Sequence, residues 1–433
     1  MNARFNRRRF LVATGTSAGL LILGHRTSVR GYVANEKLDI AAVGAGGRGA
    51  ANLADLESEN IVALCDVDLR RAAPAFAKYA SAKKYHDYRL LFQEMASEID
   101  AVVVSAPNHV HVPASVTAMY LDKHVYCEKP LAHSMHEARW AARVAAERKL
   151  ATQMGTQIHA SENFRRIVEL VQAGAIGTVD ECHCWLKGGG SAGDRPVETP
   201  PVPPELHWDL WLAVAPFRPY HPCYVPHDWH YWWDFGGGEF GNMGCHYFDL
   251  MFWALDLRHP VSIEAMGPTP HAESTPAWQH VRYQFPMRGD RPAVTLTWTH
   301  GRAAPEIFAQ NNVPDWAWGV LVGDNGLLAV NYNQRMLLPQ AAFADYQPPQ
   351  PSIPPSAGHH REWIVACKTG SPTLCNFDYS GAVTEAVLLG NIAYRTGEIL
   401  EWDADAFRIT NVPAANDYLR REYRKGWEVP VTG

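Results

Sequence analysis

Glu128 and Lys129 stand between an apolar run and a proline in the stretch YCEKPLA, at 126–132. Oxidising a secondary alcohol requires a proton to leave oxygen as hydride leaves carbon. A lysine held out of water near another positive charge has its neutral form favoured, so it can share in that proton transfer. A surface ion pair between the two residues is the alternative interpretation.

Three glycines, Gly44, Gly46 and Gly49, follow an apolar run in VGAGGRGA with the spacing G-x-G-x-x-G. The first permits a tight turn, the second lets backbone amides approach a pyrophosphate, and the third allows the next helix close to the sheet. Gly47 and Arg48 complete the loop. The pattern predicts a dinucleotide site, and a glycine turn without a ligand is the alternative.

Asp66 ends the next predicted strand, 22 residues after Gly44. A carboxylate at this point accepts hydrogen bonds from a ribose 2′-hydroxyl and repels a 2′-phosphate, so the sequence favours NAD(H) over NADP(H). Asp68 competes for this role, and Arg48 could soften the discrimination.

Pro107, Asn108 and His111 lie in SAPNHVHVP, after the fourth predicted strand and before a helix predicted over VPASVTAMYLD. We expect Asn108 and His111 to project from the strand end into a crevice, because buried polar side chains are costly unless they meet a ligand or each other. A solvated loop is the alternative.

Short apolar strands alternate with amphipathic segments from residue 37 onward. This alternation predicts an α/β domain over 35–156, a doubly wound parallel sheet with a ligand crevice at the carboxyl ends of its strands. After Gly155 the pattern changes to a helix, a Gly/Pro-rich loop and strands of a large, mostly antiparallel open sheet. We therefore expect an α+β substrate-binding and oligomerisation domain over 157–433, with helices near its end packing back.

In this order, GAGGRG, CDVD, APNHVH and CEKP closely resemble the Gfo/Idh/MocA family of sugar-related oxidoreductases. The resemblance extends through GAIGTV, GGGEFGNMGCHYFD and TEAVLLGNIAYRTG. It implies a Rossmann domain that binds NAD and a second domain whose sheet commonly pairs, which predicts a homodimer or homotetramer. It also implies that Lys129 contacts substrate and nicotinamide ribose and takes part in catalysis.

The segment GGGEFGNMGCHYFD, at 236–249, holds the second catalytic candidates. Family dehydrogenases commonly show D-x-x-x-H here, the histidine acting as acid and base toward the reacting hydroxyl. His246 matches, whereas Asn242 stands at the aspartate position, and an amide can bond a hydroxyl but cannot take a proton. This departure is compatible with substrate binding and weakens the expectation of ordinary dehydrogenase chemistry. Asp249 is expected to cap or orient locally, or to contact the imidazole.

Further substrate candidates lie in two segments. GTQIH matches the family position for residues that line the active site, which nominates Gln157 and His159; a satisfied buried pair is the alternative. The stretch 205–235 is rich in tryptophan and histidine, and aromatic faces stack on pyranose rings while imidazoles bond hydroxyls. It predicts a carbohydrate platform that includes Trp229, His230, Trp232 and Trp233, with core packing or an oligomer contact as the alternative.

No metal site is predicted, because neither HDWH at 227–230 nor CHC at 182–184 has a full ligand set. The leading hypothesis is an exported NAD(H)-dependent oxidoreductase that transfers hydride at a secondary hydroxyl of a sugar, sugar derivative or glycoside. Some relatives keep NAD bound and oxidise a ring hydroxyl transiently, so that a glycosidic bond eliminates and the cofactor is restored. A redox-neutral glycosidase is therefore the alternative, and a non-catalytic sugar or nucleotide binder is a third reading.

Residues 1–34 have the features of a twin-arginine export signal, in which Arg7, Arg8, Phe10 and Leu11 match the pattern. The uncharged stretch that follows is too short to span a bilayer, and a basic membrane-surface anchor is the alternative. We expect a periplasmic or otherwise exported protein without a membrane span in its mature form. The net charge of −6 argues against nucleic acid as a partner, and the eight scattered cysteines give no pairing pattern.

Overall fold

The first sheet is parallel and has six strands. Residues 36–429 are described by the structure, a computed structural model, and the predicted export signal at 1–34 lies outside them. In chain order the strands are β1 (Asp39–Val43), β2 (Asn60–Cys65), β3 (Lys83–Tyr85), β4 (Ala101–Val104), β5 (His124–Cys127) and β6 (Thr152–Met154). Their spatial order is β3-β2-β1-β4-β5-β6. The order therefore reverses between β1 and β4, which opens a crevice beyond the carboxyl ends of these strands.

Five helices connect these strands. They are α1 (Arg48–Asp55), α2 (Leu69–Lys78), α3 (Tyr88–Met95), α4 (Asn108–Tyr120) and α5 (Met135–Glu147). Asp68 and Asp87 accept backbone hydrogen bonds at the starts of α2 and α3, and Ser134 forms a capping box with Glu137 at the start of α5. These side chains satisfy amides that have no partner inside the helix, so each helix begins at a defined residue.

Helix α4 begins earlier than the sequence predicts. Its first residue is Asn108, so Asn108 and His111 lie on the first turn of a helix rather than in a loop ahead of it. Pro113 lies inside this helix, where its missing N–H removes one hydrogen bond near the start. Val110 and Val112 are buried, and their burial offsets that loss.

The second sheet has nine strands and is mostly antiparallel. They are β7 (Val179–Leu186), β8 (Ser262–Met266), β9 (Gln279–Phe285), β10 (Val294–His300), β11 (Gly319–Gly323), β12 (Gly326–Val330), β13 (Arg335–Leu338), β14 (Leu400–Asp403) and β15 (Arg408–Ile409). The order is β13-β12-β11-β7-β10-β9-β8-β14-β15, and β7 and β10 are its one parallel pair among the described residues. The predicted fold class, a Rossmann sheet followed by an α+β domain with a large open sheet, is confirmed.

The two longest helices pack on one face of this sheet, and the described part of the second half has six α-helices. They are α6 (Glu162–Gln172), α7 (Trp208–Leu212), α8 (Gly238–Leu255), α9 (Glu306–Gln310), α10 (His359–Thr369) and α11 (Phe377–Thr396). Phe240 of α8 stacks on Trp298 of β10 with ring centroids 4.8 Å apart, and α11 packs on α8. Helix α11 also packs on α5, where Arg139 pairs with Glu385 at 2.6 Å. The long helices therefore join the two sheets into one core.

Between residues 36 and 429, no helix combines the length and the apolar character that crossing a bilayer requires. All eight cysteines lie in this range and are free, and seven of them are buried.

Candidate active site

Both halves of the chain line one cavity of about 470 Å³, which we call the main cavity. It lies beyond the carboxyl ends of β1, β2, β4 and β5 and faces α8. The nucleotide-binding half contributes, among others, Gly44, Gly46, Arg48, Asp66, Asp68, Arg71, His86, Pro107, Asn108, His111, Glu128 and Lys129. The second half contributes Gln157, Leu210, Trp211, Val225, Pro226, His227, Trp229, His230, Asn242, His246 and Trp427.

The glycine loop between β1 and α1 leaves no room for side chains. A Cβ at Gly44 would lie 2.5 Å from the Ser105 carbonyl oxygen, and one at Gly49 would lie 2.1 Å from the Gly44 oxygen. Gly44 and Gly47 have positive φ angles of 89° and 54°. Gly44 and Gly46 line the main cavity, whereas Gly47 and Gly49 lie outside its lining. The loop thus presents bare backbone at the start of α1, the arrangement that receives a pyrophosphate.

Asp66 stands directly after β2 and faces this loop. Its Oδ2 accepts hydrogen bonds from the amides of Ala45 at 2.9 Å and Gly46 at 3.1 Å. Burial raises the pKa of Asp66, and the backbone hydrogen bonds oppose this shift. Asp68, its competitor, caps α2 through the amide of Arg70 and pairs with the Arg70 guanidinium. Asp66 is therefore the carboxylate that remains directed at the dinucleotide loop.

Glu128 stands directly after β5 and collects three donors on Oε1. Arg48 Nε lies 3.1 Å away, Asn52 Nδ2 2.9 Å and Gln157 Nε2 2.9 Å. A Cβ at Gly155 would lie 2.6 Å from this carboxyl group, so the glycine is needed for the close approach. Glu128 therefore pairs with Arg48, whereas the side chain of Lys129 contacts Asn242.

Lys129 reaches across to the second half of the chain. Its Nζ donates to the backbone oxygen and to Oδ1 of Asn242, each at 2.7 Å. Burial lowers the pKa of Lys129, and the charge of Glu128 opposes that shift. The Lys129–Pro130 peptide bond is cis, and His111 Nδ1 lies 2.7 Å from the Pro130 oxygen. The structure thus gives the amine a neutral amide partner in a buried setting.

His246 lies one helical turn after Asn242 on α8, so both side chains face the main cavity. Burial, followed by the positive charge of Lys129, lowers the pKa of His246 well below its ordinary value. Its Nδ1 is buried without a hydrogen-bond partner among residues 36–429. The imidazole is therefore neutral near pH 7, with one unpaired ring nitrogen.

Trp229 and His230 form the aromatic wall of the main cavity. Their rings stack with centroids 3.6 Å apart in the 3-10 turn Asp228–Tyr231. Burial, followed by the charge of Lys129, lowers the pKa of His230 to about 3. Trp232 and Trp233 lie outside the lining: Trp232 is 1% exposed, and Trp233 Nε1 donates to the His271 oxygen. Only part of the predicted platform thus faces the cavity.

His159 also lies outside the main cavity. Its Nδ1 lies 2.9 Å from Asp249 Oδ1, and its ring stacks on Trp253 at 4.0 Å. The Tyr379 hydroxyl donates to the same carboxylate at 2.9 Å. Asp249 therefore contacts the imidazole of His159 and fixes α8 to the 3-10 turn that carries Gln157.

A cover closes the end of the main cavity next to Asp66. Leu206 forms a β-bridge with Asp68, and the His207 amide donates to the Val67 oxygen at 2.9 Å. Trp427 completes the wall from the other side, with the Arg89 guanidinium 3.8 Å from its ring centroid. The cover consists of residues 203–215 and residues 420–427. Arg424 Nε connects these two segments by donating a hydrogen bond to the Ala213 oxygen at 3.0 Å.

Several lining or supporting residues carry no motif in the sequence. Asn52 holds Glu128 from α1, the Tyr126 hydroxyl accepts from Gln157 at 2.8 Å, and Trp427 arrives from the far end of the described chain. An asparagine in a helical pattern and a tryptophan in an irregular tail give no signal of their roles. Trp211 also lines the cavity and is 6% exposed.

Two family models match the chain. Residues 38–156 match the model described as an oxidoreductase family, NAD-binding Rossmann fold, and residues 178–291 match its C-terminal alpha/beta domain. Together they take in just over half of the sequence. Residues 38–156 therefore form an NAD-binding Rossmann domain.

Individual proteins of known activity or known structure are also similar to this chain. Inositol 2-dehydrogenase of Salmonella typhimurium is 31% identical over 121 residues, which are 27% of this chain and 35% of that enzyme, so the match spans about a third of the relative's length. The WlbA dehydrogenase of Bordetella pertussis, solved with NADH and UDP-GlcNAcA, superposes with a TM-score of 0.58 at 16% identity over 86% of this chain and 100% of that one. The myo-inositol 2-dehydrogenase of Lactobacillus plantarum gives 0.57 at 17% identity over 85% and 100%. At these identities the solved structures establish a shared fold.

Proposed function

Because the chain belongs to the Gfo/Idh/MocA family of oxidoreductases, we propose that it transfers hydride between NAD(H) and a secondary hydroxyl of a sugar, sugar derivative or glycoside. The observation that carries this proposal is the meeting of Lys129 and His246. They come from different parts of the chain and line the same cavity as the glycine loop, and burial lowers the pKa of each.

The residues present fit a dinucleotide. The bare glycine backbone can receive the pyrophosphate, Asp66 can accept from a ribose hydroxyl, and Glu128 and Lys129 stand at the next strand end for the nicotinamide half. The Asp66 carboxylate disfavours a 2′-phosphate, which supports NAD over NADP. When bound, NAD⁺ supplies the hydride acceptor.

Side chains of the protein would accept the proton that leaves the substrate hydroxyl. A neutral imidazole nitrogen of His246 accepts the proton of the substrate hydroxyl, and Lys129 Nζ donates a hydrogen bond to the same oxygen. Asn242 fixes Lys129 without adding negative charge, so the amine keeps its lowered pKa. Trp229 and His230 would hold the sugar ring.

The experiment that tests this proposal is an assay of the purified protein with NAD⁺ and a panel of free sugars, sugar acids and cyclitols. Net NADH formation with at least one of them is expected. Lys129→Ala should lower turnover by about a thousandfold, the scale of a lost acid-base group, while NAD affinity stays within a few-fold. If that variant loses NAD affinity in proportion to turnover, Lys129 is a cofactor ligand and the assigned role fails.

The cover favours a second candidate, a redox-neutral glycosidase with retained NAD. Residues 203–215 are hydrogen-bonded to the segment after Asp66, so release of a dinucleotide would require these bonds to break. Asn242 in place of a carboxylate supports the same reading. Absorbance of cofactor that co-purifies, followed by sugar release from aryl glycosides without net NADH, would favour the glycosidase. Bound NAD with neither reaction would favour a sugar or nucleotide binder.

Export and assembly belong to the same proposal. The twin-arginine pattern at 7–11 supports export of a folded, cofactor-loaded protein to the periplasm, and cell fractionation with an Arg7→Lys, Arg8→Lys double variant tests it. The open face of the second sheet commonly pairs in this family, which supports a homodimer or homotetramer; light scattering of the purified protein measures it.

A further inference from the structure

A second, smaller cavity lies behind the Lys129–Pro130 segment, and we call it the rear cavity. Its volume of about 60 Å³ gives room for on the order of four water molecules. It lies where the starts of α5 and α8 meet α11 and the 3-10 turn Pro413–Leu419. Asn108 lines both cavities, so the rear cavity adjoins the main cavity through this residue.

Arg395 of α11 brings an unpaired positive charge to the rear cavity. Its guanidinium lies between two aromatic rings, 4.8 Å from the Trp233 centroid and 4.2 Å from the Tyr418 centroid. It makes no hydrogen bond or ion pair with any of residues 36–429. Burial lowers the pKa of Arg395, and the nearby Tyr418 and Asp234 oppose that shift.

The nearby carboxylates are committed to other partners. Asp234 Oδ2 accepts from Arg195 at 2.6 Å and from Arg218 at 3.0 Å. Glu137 accepts from the Ser134 amide at 2.9 Å as part of the α5 capping box. No Asp or Glu is among the described residues that line the rear cavity. Its net character is therefore positive.

The rear cavity also presents both hydrogen-bond donors and a hydrogen-bond acceptor. Gly237 precedes the first residue of helix α8 there, and no side chain caps the first amides of the helix. Asn391 is 5% exposed, donates Nδ2 to the Gly237 oxygen at 3.0 Å, and has an Oδ1 without a partner among the described residues. A ligand would thus meet cationic and amide donors together with one buried acceptor.

We propose that the rear cavity binds a small oxyanion that keeps one O–H group at neutral pH, the chemistry of hydrogen phosphate. Its oxygens accept from Arg395 and from the start of α8, and its O–H donates to Asn391 Oδ1. Sulfate has similar size and charge but no O–H group, so it would leave that buried oxygen unpaired. This site is separate from the proposed reaction and does not depend on it.

The test is calorimetric titration of the full chain, saturated with NAD so that phosphate cannot enter the dinucleotide site. Sodium phosphate should bind saturably, and sodium sulfate at equal ionic strength should bind about tenfold more weakly or not at all. Arg395→Gln should weaken phosphate binding by about tenfold or more. Arg302→Gln is the matched control, because Arg302 also lies over a tryptophan, 4.9 Å from the Trp278 centroid, but outside the rear cavity.

A second variant keeps the test decisive if Arg395→Gln does not fold. Gly241 lines the rear cavity within α8, and a Cβ there would meet nothing within 4 Å, so Gly241→Ala preserves the helix and adds a methyl group to the wall. It should weaken phosphate binding at least about threefold by taking volume from the ligand. The proposal is overturned if phosphate does not bind saturably, if sulfate binds equally well, or if both variants bind phosphate as the control does.

Discussion

The two walls of the main cavity position their side chains in different ways. On the nucleotide wall, Gly44, Asp66, Ser105 and Glu128 are each the first residue after a strand of the parallel sheet. The ladder between the strands fixes where these residues stand. On the aromatic wall, Trp229 lies in a short turn, stacks on the adjacent His230 and packs against the cluster that holds Leu206 and Trp211. Backbone pairing thus sets the first wall, and side-chain packing sets the second.

Acid should destabilise the second half of the chain more than the nucleotide half, and this is the largest effect that we expect. Burial lowers the pKa of His109 to about 3 in the nucleotide half, and that of His230 to about 3 and of His183 and His300 to about 4 in the second half. The unfolded chain protonates these groups near pH 6.5, so their stability contribution is complete above that pH and is lost as pH falls toward 4. Each contributes up to about 1.4 kcal/mol per pH unit in that window.

Thermal unfolding followed from pH 7 to pH 4 checks this, together with hydrogen exchange resolved along the chain. We expect the melting temperature to fall below pH 6.5 and the second sheet to lose protection first, because more of these histidines lie there. A melting temperature that stays constant down to pH 4.5 would contradict the assignment of neutral buried histidines.

Gly49→Val should break the nucleotide wall alone. The new Cβ would lie 2.1 Å from the Gly44 oxygen, so the loop must move and NAD affinity should fall about a hundredfold. Fluorescence titration with NAD measures it. Gly188→Ala is the control, since a Cβ there meets nothing within 4 Å. Equal affinities for the two variants would show that the bare backbone is not what receives the dinucleotide.

Trp229→Ala should break the aromatic wall alone. Removing the ring takes away the stacking surface proposed for the sugar, so KM should rise about tenfold while NAD affinity is unchanged. Steady-state kinetics with the substrate that the panel identifies measures KM. Trp278→Ala removes a tryptophan outside the main cavity and should leave KM unchanged. A Trp229 variant with unaltered KM would place the sugar elsewhere.

Asn242→Asp tests the contact between Lys129 and α8, which connects the two walls, and we expect its effect to be the smallest. A carboxylate 2.7 Å from Lys129 Nζ raises the pKa of the amine, so the basic midpoint of the pH–rate profile should move up by about one unit. Asn242→Ser adds no charge and should not move the midpoint upward. An unchanged midpoint in the aspartate variant would mean that Lys129 does not set the profile.

Local patterns predicted the nucleotide wall well and the aromatic wall only in part. Gly44, Asp66 and Glu128 could be placed because each position depends on a strand, a turn and the next helix, all within a few residues. Trp232 and Trp233 could not be separated from Trp229, because their sequence neighbourhood is the same and only tertiary packing decides which ring faces the cavity.

The start of α4 and the role of Trp427 were missed for related reasons. Pro113 favours a helix start nearby, but burial of the preceding turn outweighs that local preference. Trp427 lies more than 380 positions beyond Gly44, and no short pattern encodes a contact over that separation.

The joined cover makes the cavity sensitive to proteolysis. Arg424 and Trp427 lie together in an irregular tail, in which Arg420 and Glu422 are exposed. One cut between Leu419 and Arg424 would sever the clamp on residues 203–215 and the wall next to Asp66 from the body together. Trp427 would then no longer be tied to the wall next to Asp66, so intact mass at this end of the molecule is worth checking before two preparations are compared.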